Sequence, residues 1–305
     1  MGAGSPWEDG RPMKIDLARR NPIPRLARAR VLWPLNEGEQ VHDSDQHYLG
    51  AHIDADTESD RLQLLEGCRD PGTIRRLDRL GVSRGWRCLE VGAGHGSIAR
   101  WLAERVGPTG SVVAADLDPR FLTDMPAGVD VRRLDIRHDD LEADSYDLVH
   151  CRALLMHLPD PIAALARMVA ALRPGGLLLA EEGDYGLWSY GGHADAQQLN
   201  TLITRMLTRL AEAKIANPWF GRRLPDLTLA SGLELRGSEV ETRVVRPGEA
   251  DYEFEWASLL ATVPAMIKLG IYGEADANLI RALSGHLNSV ITTVSIVAVW
   301  GQKPS

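Results

Sequence analysis

Residues Arg87 to Gly107 read RCLEVGAGHGSIARWLAERVG. A short apolar strand, RCLEVG, runs into three closely spaced glycines, Gly92, Gly94 and Gly96. A helical pattern follows, with Ile98, Leu102 and Val106 on one face. Strand, glycine turn and helix together form the ligand cradle of parallel α/β folds, since backbone without Cβ atoms admits a ligand at the helix start. The dinucleotide fingerprint needs glycines at G-x-G-x-x-G. Here Ser97 stands at the third position and Gly96 comes one residue early. Glu90 precedes the first glycine by two positions. A carboxylate there would repel a pyrophosphate, but it suits a ligand with a cationic end.

Outward from this unit, strand and helix alternate. SVVAAD, DVRRLD and YDLVHC read as the second to fourth strands, PIAALARMVAAL as a helix ending at Arg173-Pro174-Gly175-Gly176, and LLLAEE as the fifth strand. Such alternation implies a parallel sheet with helices on both faces. Upstream, Leu62, Leu65, Ile74, Leu77 and Leu80 predict helix over about 56–80, broken at Pro71. Downstream, a Gly/Tyr-rich link, GDYGLWSYGGH, leads into helices near 195–215 and over much of 251–286. ELRGSEVETRVVRP and VSIVAVWGQ read as the last two strands.

LEVGAGHGS resembles the E-x-G-x-G-x-G signature of class I S-adenosylmethionine-dependent methyltransferases. Asp116, closing the second strand, and Asp135, closing the third, add to the resemblance, as do YDLVHCRALLMHLPDP and LRPGGLLLAEE. It covers roughly residues 60–185. YLGAHIDADTESDRL and GRRLPDLTLASGL further resemble the bacterial small-molecule, quinone C-methyltransferase-like subgroup. The resemblance implies an α/β fold: a Rossmann-like, seven-stranded, mostly parallel sheet with helices on both faces and an antiparallel last strand, plus an N-terminal arm and a helical cap. The corresponding divisions are 1–55, 56–190 and 191–305.

It also implies S-adenosyl-L-methionine as cofactor. Glu90, Gly92, Gly94 and Gly96 would receive it. Asp116 and Leu117 would meet the ribose, and Asp135 and Ile136 the adenine. Cys151 and Arg152 would lie beside the methionine end, with Tyr48 in the N-terminal cover. Bland roles are open to each acid: Asp116 as a helix cap, Asp135 as a solvated loop residue, Glu90 as the partner of a nearby cation. A base is needed only if the acceptor must shed a proton. His157, in LLMHLPDP, is the first candidate, against a structural histidine. Glu181 is the second, in a crowd with Glu182 and Asp184 where neighbours could raise one pKa, against solvated acids. Tyr185, Trp188 and Tyr190 could line an aromatic pocket, and Trp256, Leu259, Leu260, Met266 and Ile267 an apolar wall; ordinary packing explains both sets equally well.

The expected activity is methylation, at oxygen, carbon or nitrogen, of a small apolar or aromatic metabolite. Two alternatives stand beside it: cyclisation or other non-methyl chemistry on the same fold, and a non-catalytic partner-binding subunit. The chain has 305 residues, 44% hydrophobic, with a net charge of −8. That charge points away from nucleic-acid and anionic-membrane partners. Cys68, Cys88 and Cys151 are too few and irregular for a disulfide framework, which suggests a cytoplasmic protein. No apolar run reaches the roughly 18 residues of a membrane span. No metal is expected: His42, Asp43, Asp45, His47 and His52 match no ligand spacing. The Pro- and Arg-rich arm is a candidate for docking on a neighbouring subunit in a homo-oligomer.

Overall fold

The computed structural model describes residues 53, 55–284 and 289–305, all within one compact unit, Ser44–Ser305. The expected arm falls almost wholly outside the described residues, as do Tyr48 and the histidine-rich loop around it.

The first helix, α1 (Ala55–Arg79), passes through Pro71 without the predicted break. Proline inside a helix removes one main-chain hydrogen bond and costs about 3 kcal/mol. Buried side-chain bonds on either side hold the helix together: Arg69 donates to Asp251 and Glu255, at 3.0 and 3.1 Å, and Arg76 to Glu181 at 2.6 Å.

Five strands follow: β1 (Arg87–Val91), β2 (Ser111–Asp116), β3 (Val129–Arg133), β4 (Tyr146–Arg152) and β5 (Leu172–Asp184). Between them lie α2 (Ser97–Val106) and α3 (Pro161–Ala171). In α3, Asp160 accepts from the Ala163 amide and Pro161 takes the first turn, where its missing N–H costs nothing. Next come β6 (Ser189–Gly191), α4 (Ala196–Glu212), α5 (Leu224–Ala230), β7 (Glu234–Glu241) and β8 (Val244–Val245). The chain ends with α6 (Ala250–Lys268), α7 (Glu274–Leu283), β9 (Val290–Thr292) and β10 (Ser295–Gln302). Arg173–Gly176, read as the end of the preceding helix, belong to β5, which bulges there: Tyr146 pairs with Leu172, and Leu148 already pairs with Leu177.

The main sheet has the order β3-β2-β1-β4-β5-β10-β7. Strands β1 to β5 are parallel, while β10 runs antiparallel to both β5 and β7. Alternate side chains feed two core layers, as buried strands require. Leu89, Val149 and Leu178 pack under α3 and α5, with Leu165 and Leu224. Cys88, Leu148 and Leu179 pack under α1 and α2, with Leu77 and Leu102. A third apolar cluster belongs to the cap, where α4, α6 and α7 close over β6, β9 and β8. Those three strands form a small antiparallel sheet in which Val245 pairs with Ile291. Among the described residues, no helix is long and apolar enough to cross a membrane.

Candidate cofactor and acceptor site

Strand order reverses between β1 and β4, and at such a switch point the carboxyl ends of the strands part to leave a crevice. A cavity of about 440 Å³ occupies it, running from the β1 glycine loop to the underside of the cap.

At its core end, Glu90, Gly92, Gly94, Asp116, Leu117, Asp135, Ile136 and Arg152 all line the wall. Gly94 sits at φ +58°, and a Cβ there would meet only Leu62 Cδ2, at 3.7 Å, so the bare backbone faces open space. Gly96 lies off the wall; a Cβ there would strike Leu122 Cδ2 at 2.8 Å and Met125 at 3.0 Å. Its bareness therefore serves packing at the start of α2. Glu90 is 5% exposed, and its Oε2 has no hydrogen-bond partner among the described residues. A buried, unpaired carboxylate oxygen on a cavity wall costs stability unless a donor or cation meets it.

Asp116 accepts from the Gly94 and Asp118 amides, each at 2.9 Å. Burial raises its pKa, with the two amides opposing. Asp135 is clamped by Arg137, whose Nε and Nη2 donate at 2.8 and 2.6 Å and hold the carboxyl below its ordinary pKa. Arg152 donates to Thr73 and Asp70, at 2.9 and 2.8 Å. Cys151 is wholly buried and lies off the wall; burial pushes its thiol pKa up.

Behind the wall runs a polar row that strand register explains. Glu90 pairs with His150 across β1 and β4, and Arg152 with Glu181 across β4 and β5, so Glu90, His150 and Glu181 all face α1. His150 Nδ1 is 3.5 Å from Glu90, an ion-pair distance rather than a hydrogen bond, and Nε2 is 3.3 Å from Glu181. Glu181 also accepts from Thr73 and Arg76, each at 2.6 Å. Burial works against its charge, but His150, Arg152 and Arg76 prevail and hold it at about 2. Glu181 is therefore locked beneath the sheet and does not line the cavity. Glu182 points the other way, buried, and accepts from the Leu154, Leu155 and Met156 amides. Burial lifts it to about 7 against those three bonds. It thereby anchors the loop carrying His157, where Ala153 sits at φ +51°. Asp184 is ion-paired to Arg222 and falls below its ordinary value although burial opposes this.

His157 does line the cavity. Burial lowers it to about 4, with Arg61 adding to the effect, so at neutral pH it is an uncharged imidazole. Tyr185 and Trp188 share that wall, whereas Tyr190 packs on Trp256 with ring centroids 4.6 Å apart. Of the five expected apolar wall residues, Leu259 reaches the cavity and the other four lie in the cap cluster. The rest of the cap end is mostly apolar, with Met206, Leu207, Leu210 and Phe254. Sequence reasoning missed His95, Arg69 and Glu255, which also line the cavity. His95 sits inside the quoted glycine loop, 3.1 Å from Ser59, and was open to reading. Arg69 and Glu255 carry no local signal.

Comparison with known proteins bears on the segment that carries this site. Residues 89–178 match the model of a methyltransferase-domain family. Methyltransferase str2 of the fungus Strobilurus tenacellus is 33% identical over 160 residues, covering 52% of this chain and 56% of that protein. A ubiquinone biosynthesis O-methyltransferase of Xanthomonas euvesicatoria is 34% identical over 133 residues, covering 41% and 53%. These matches span little more than half the length of the relatives. Among solved structures, a candidate methyltransferase from Bacillus halodurans superposes with a TM-score of 0.51 at 16% identity, over 76% of this chain and 98% of its own. Glycine loop, strand-end acids and family match thus coincide on one segment, and residues 89–178 form a methyltransferase-family domain.

Proposed function

We propose that this protein transfers the methyl group of S-adenosylmethionine to a small apolar or aromatic metabolite. One observation carries the reading: a single cavity joins the glycine loop, with its unpaired Glu90 oxygen, to an apolar chamber under the cap. The relation to ubiquinone-biosynthesis O-methyltransferases supports a ring-bearing acceptor.

When bound, the cofactor supplies an electrophilic methyl group on a sulfonium. The protein's residues do the placing. Glu90 Oε2 would hold the cationic end. Asp116, fixed by two amides, keeps lone pairs for the ribose hydroxyls. Asp135 and Ile136 flank the adenine position. Glu182 pins the loop bearing Leu154 and His157, and the cap excludes water. Orientation of this kind can supply about 7–11 kcal/mol of the barrier.

Calorimetry with S-adenosylmethionine, followed by S-adenosylhomocysteine formation on aromatic acceptors, tests the reading. Tight nicotinamide-cofactor binding with none for S-adenosylmethionine would sink it. Asp116→Ala is expected to weaken cofactor binding by about 1.5–3 kcal/mol, one to two decades. Unchanged affinity would remove Asp116 from the ribose site.

A further inference from the structure

We propose that Glu255 is the general base of this site, and that the acceptor is accordingly a molecule that must lose a proton to react, a phenol or an enol. This rests on the methyl-transfer reading above and narrows it.

The argument begins with hydrogen-bond accounting. Glu255, on α6, is 1% exposed and lines the cavity. Its Oε1 takes both of its side-chain bonds, from Arg69 Nη2 and the Val294 amide, each at 3.1 Å. Its Oε2 accepts no hydrogen bond among the described residues. One oxygen therefore fixes the carboxyl, and the other is left for a ligand. A carboxylate held in this manner can receive a proton without moving.

The other titratable groups at the cap end are less suited. His157 is lowered to about 4, which makes it a weak base. Tyr185 is raised to about 12 by burial. Glu58 is paired bidentately with Arg61. Burial lifts Glu255 to about 7, against Arg69 and the Val294 amide. A base matched to the working pH is the favourable case. The groups facing it are Arg69 and Cys68 from α1, Asp251 one turn earlier on α6, and Tyr185 and Tyr190 from the segment after β5. Asp251 takes Arg69 and Arg243 together, so Glu255 shares the one cation it pairs with among the described residues.

The step balances as follows. The acceptor's O–H proton passes to Oε2 of Glu255. The acceptor's oxygen, or the enol's carbon, uses its electron pair to bond the methyl carbon. The S–CH₃ pair stays on sulfur and cancels its positive charge. Glu255 then returns the proton to solvent.

The test uses the full chain and Glu255→Gln, which keeps an oxygen for Arg69 and Val294. Carbon-13 NMR of glutamate-labelled, ligand-free protein should show two carboxyl groups titrating near 7, from Glu182 and Glu255, and the variant should lose one. Turnover is measured with catechol, hydroquinone, naphthol and acetylacetone, and with aniline as the acceptor that needs no base. The wild type should methylate at least one of the first four, with kcat/KM rising through pH 7 to a plateau. The variant should fall about a hundredfold and lose that rise, with S-adenosylmethionine affinity unchanged. If both proteins fail to bind S-adenosylmethionine, the methyl-transfer reading itself has failed, and this proposal falls with it. With cofactor binding intact, three results would each overturn the proposal alone. These are equal rates in the variant, turnover of aniline but none of the four, and turnover of none.

Discussion

Gly94→Val is expected to abolish S-adenosylmethionine binding, by more than a hundredfold, while leaving a folded protein. The nearest side-chain atom to the missing Cβ is Leu62 Cδ2 at 3.7 Å, so nothing in the fold blocks a side chain there. What valine fills is the space beside Asp116, whose Oδ2 receives the Gly94 amide. The left-handed φ of +58° adds roughly 1–2 kcal/mol of backbone strain, which a protein of this size tolerates. Gly96→Val is the contrast. Its Cβ would push aside the side-chain ends of Leu122 and Met125 at a left-handed φ of +81°, so it should lose stability first. Calorimetry and thermal melts of the two variants separate ligand exclusion from misfolding. Near-normal affinity in Gly94→Val would mean the ligand enters by another route.

Arg76→Met should be the most destabilising single change on α1, by about 3–5 kcal/mol, because it strands a buried charge. Arg76 meets Glu181 at 2.6 Å with side chains 2% and 0% exposed, and its other nitrogen reaches Glu239 and Glu241 on β7. One cation thus ties α1 to the middle and the edge of the sheet. Neutralising both partners, in Arg76→Met with Glu181→Gln, should recover much of the loss, since the cost lies in a buried carboxylate deprived of its guanidinium and left with Thr73 and His150. A double variant no more stable than the single one would show that lost packing is responsible. Acid should imitate the effect. Glu181 has a folded pKa of about 2 against an ordinary 4.5, so its contribution is complete above 4.5 and is lost as pH falls towards 2.

Much of this architecture is legible in the sequence because it is local. Ser97–Val106 and Ser111–Asp116 were read with the boundaries the structure has, since apolar period and flanking turn residues agree there. The three-residue strands β6 and β9 of the small sheet were missed, and ELRGSEVETRVVRP, read as one strand, divides into β7 of the main sheet and β8 of the small one. Segments so short show no period, and only their mutual pairing makes them strands. The Pro71 break failed for the opposite reason: a strong local rule yielded to buried ion pairs with distant parts of the chain. The site divides in the same manner. Acids at strand ends are visible because topology forces those ends together. Glu181 looks like a base at the end of β5, but strand alternation turns it under the sheet, where Arg76 waits. Glu255 is 186 positions from Arg69 and acquires its meaning only when α6 packs on α1.

The pairing of Val245 with Ile291 has a consequence for how such a protein can change. The chain departs for α6 and α7 and comes back at neighbouring points of one clasp. A loop whose two ends are already tied together can be lengthened, trimmed or exchanged without re-registering the main sheet. Selection could therefore refashion the lid for a new guest molecule while the adenosyl berth beneath it stays as it was.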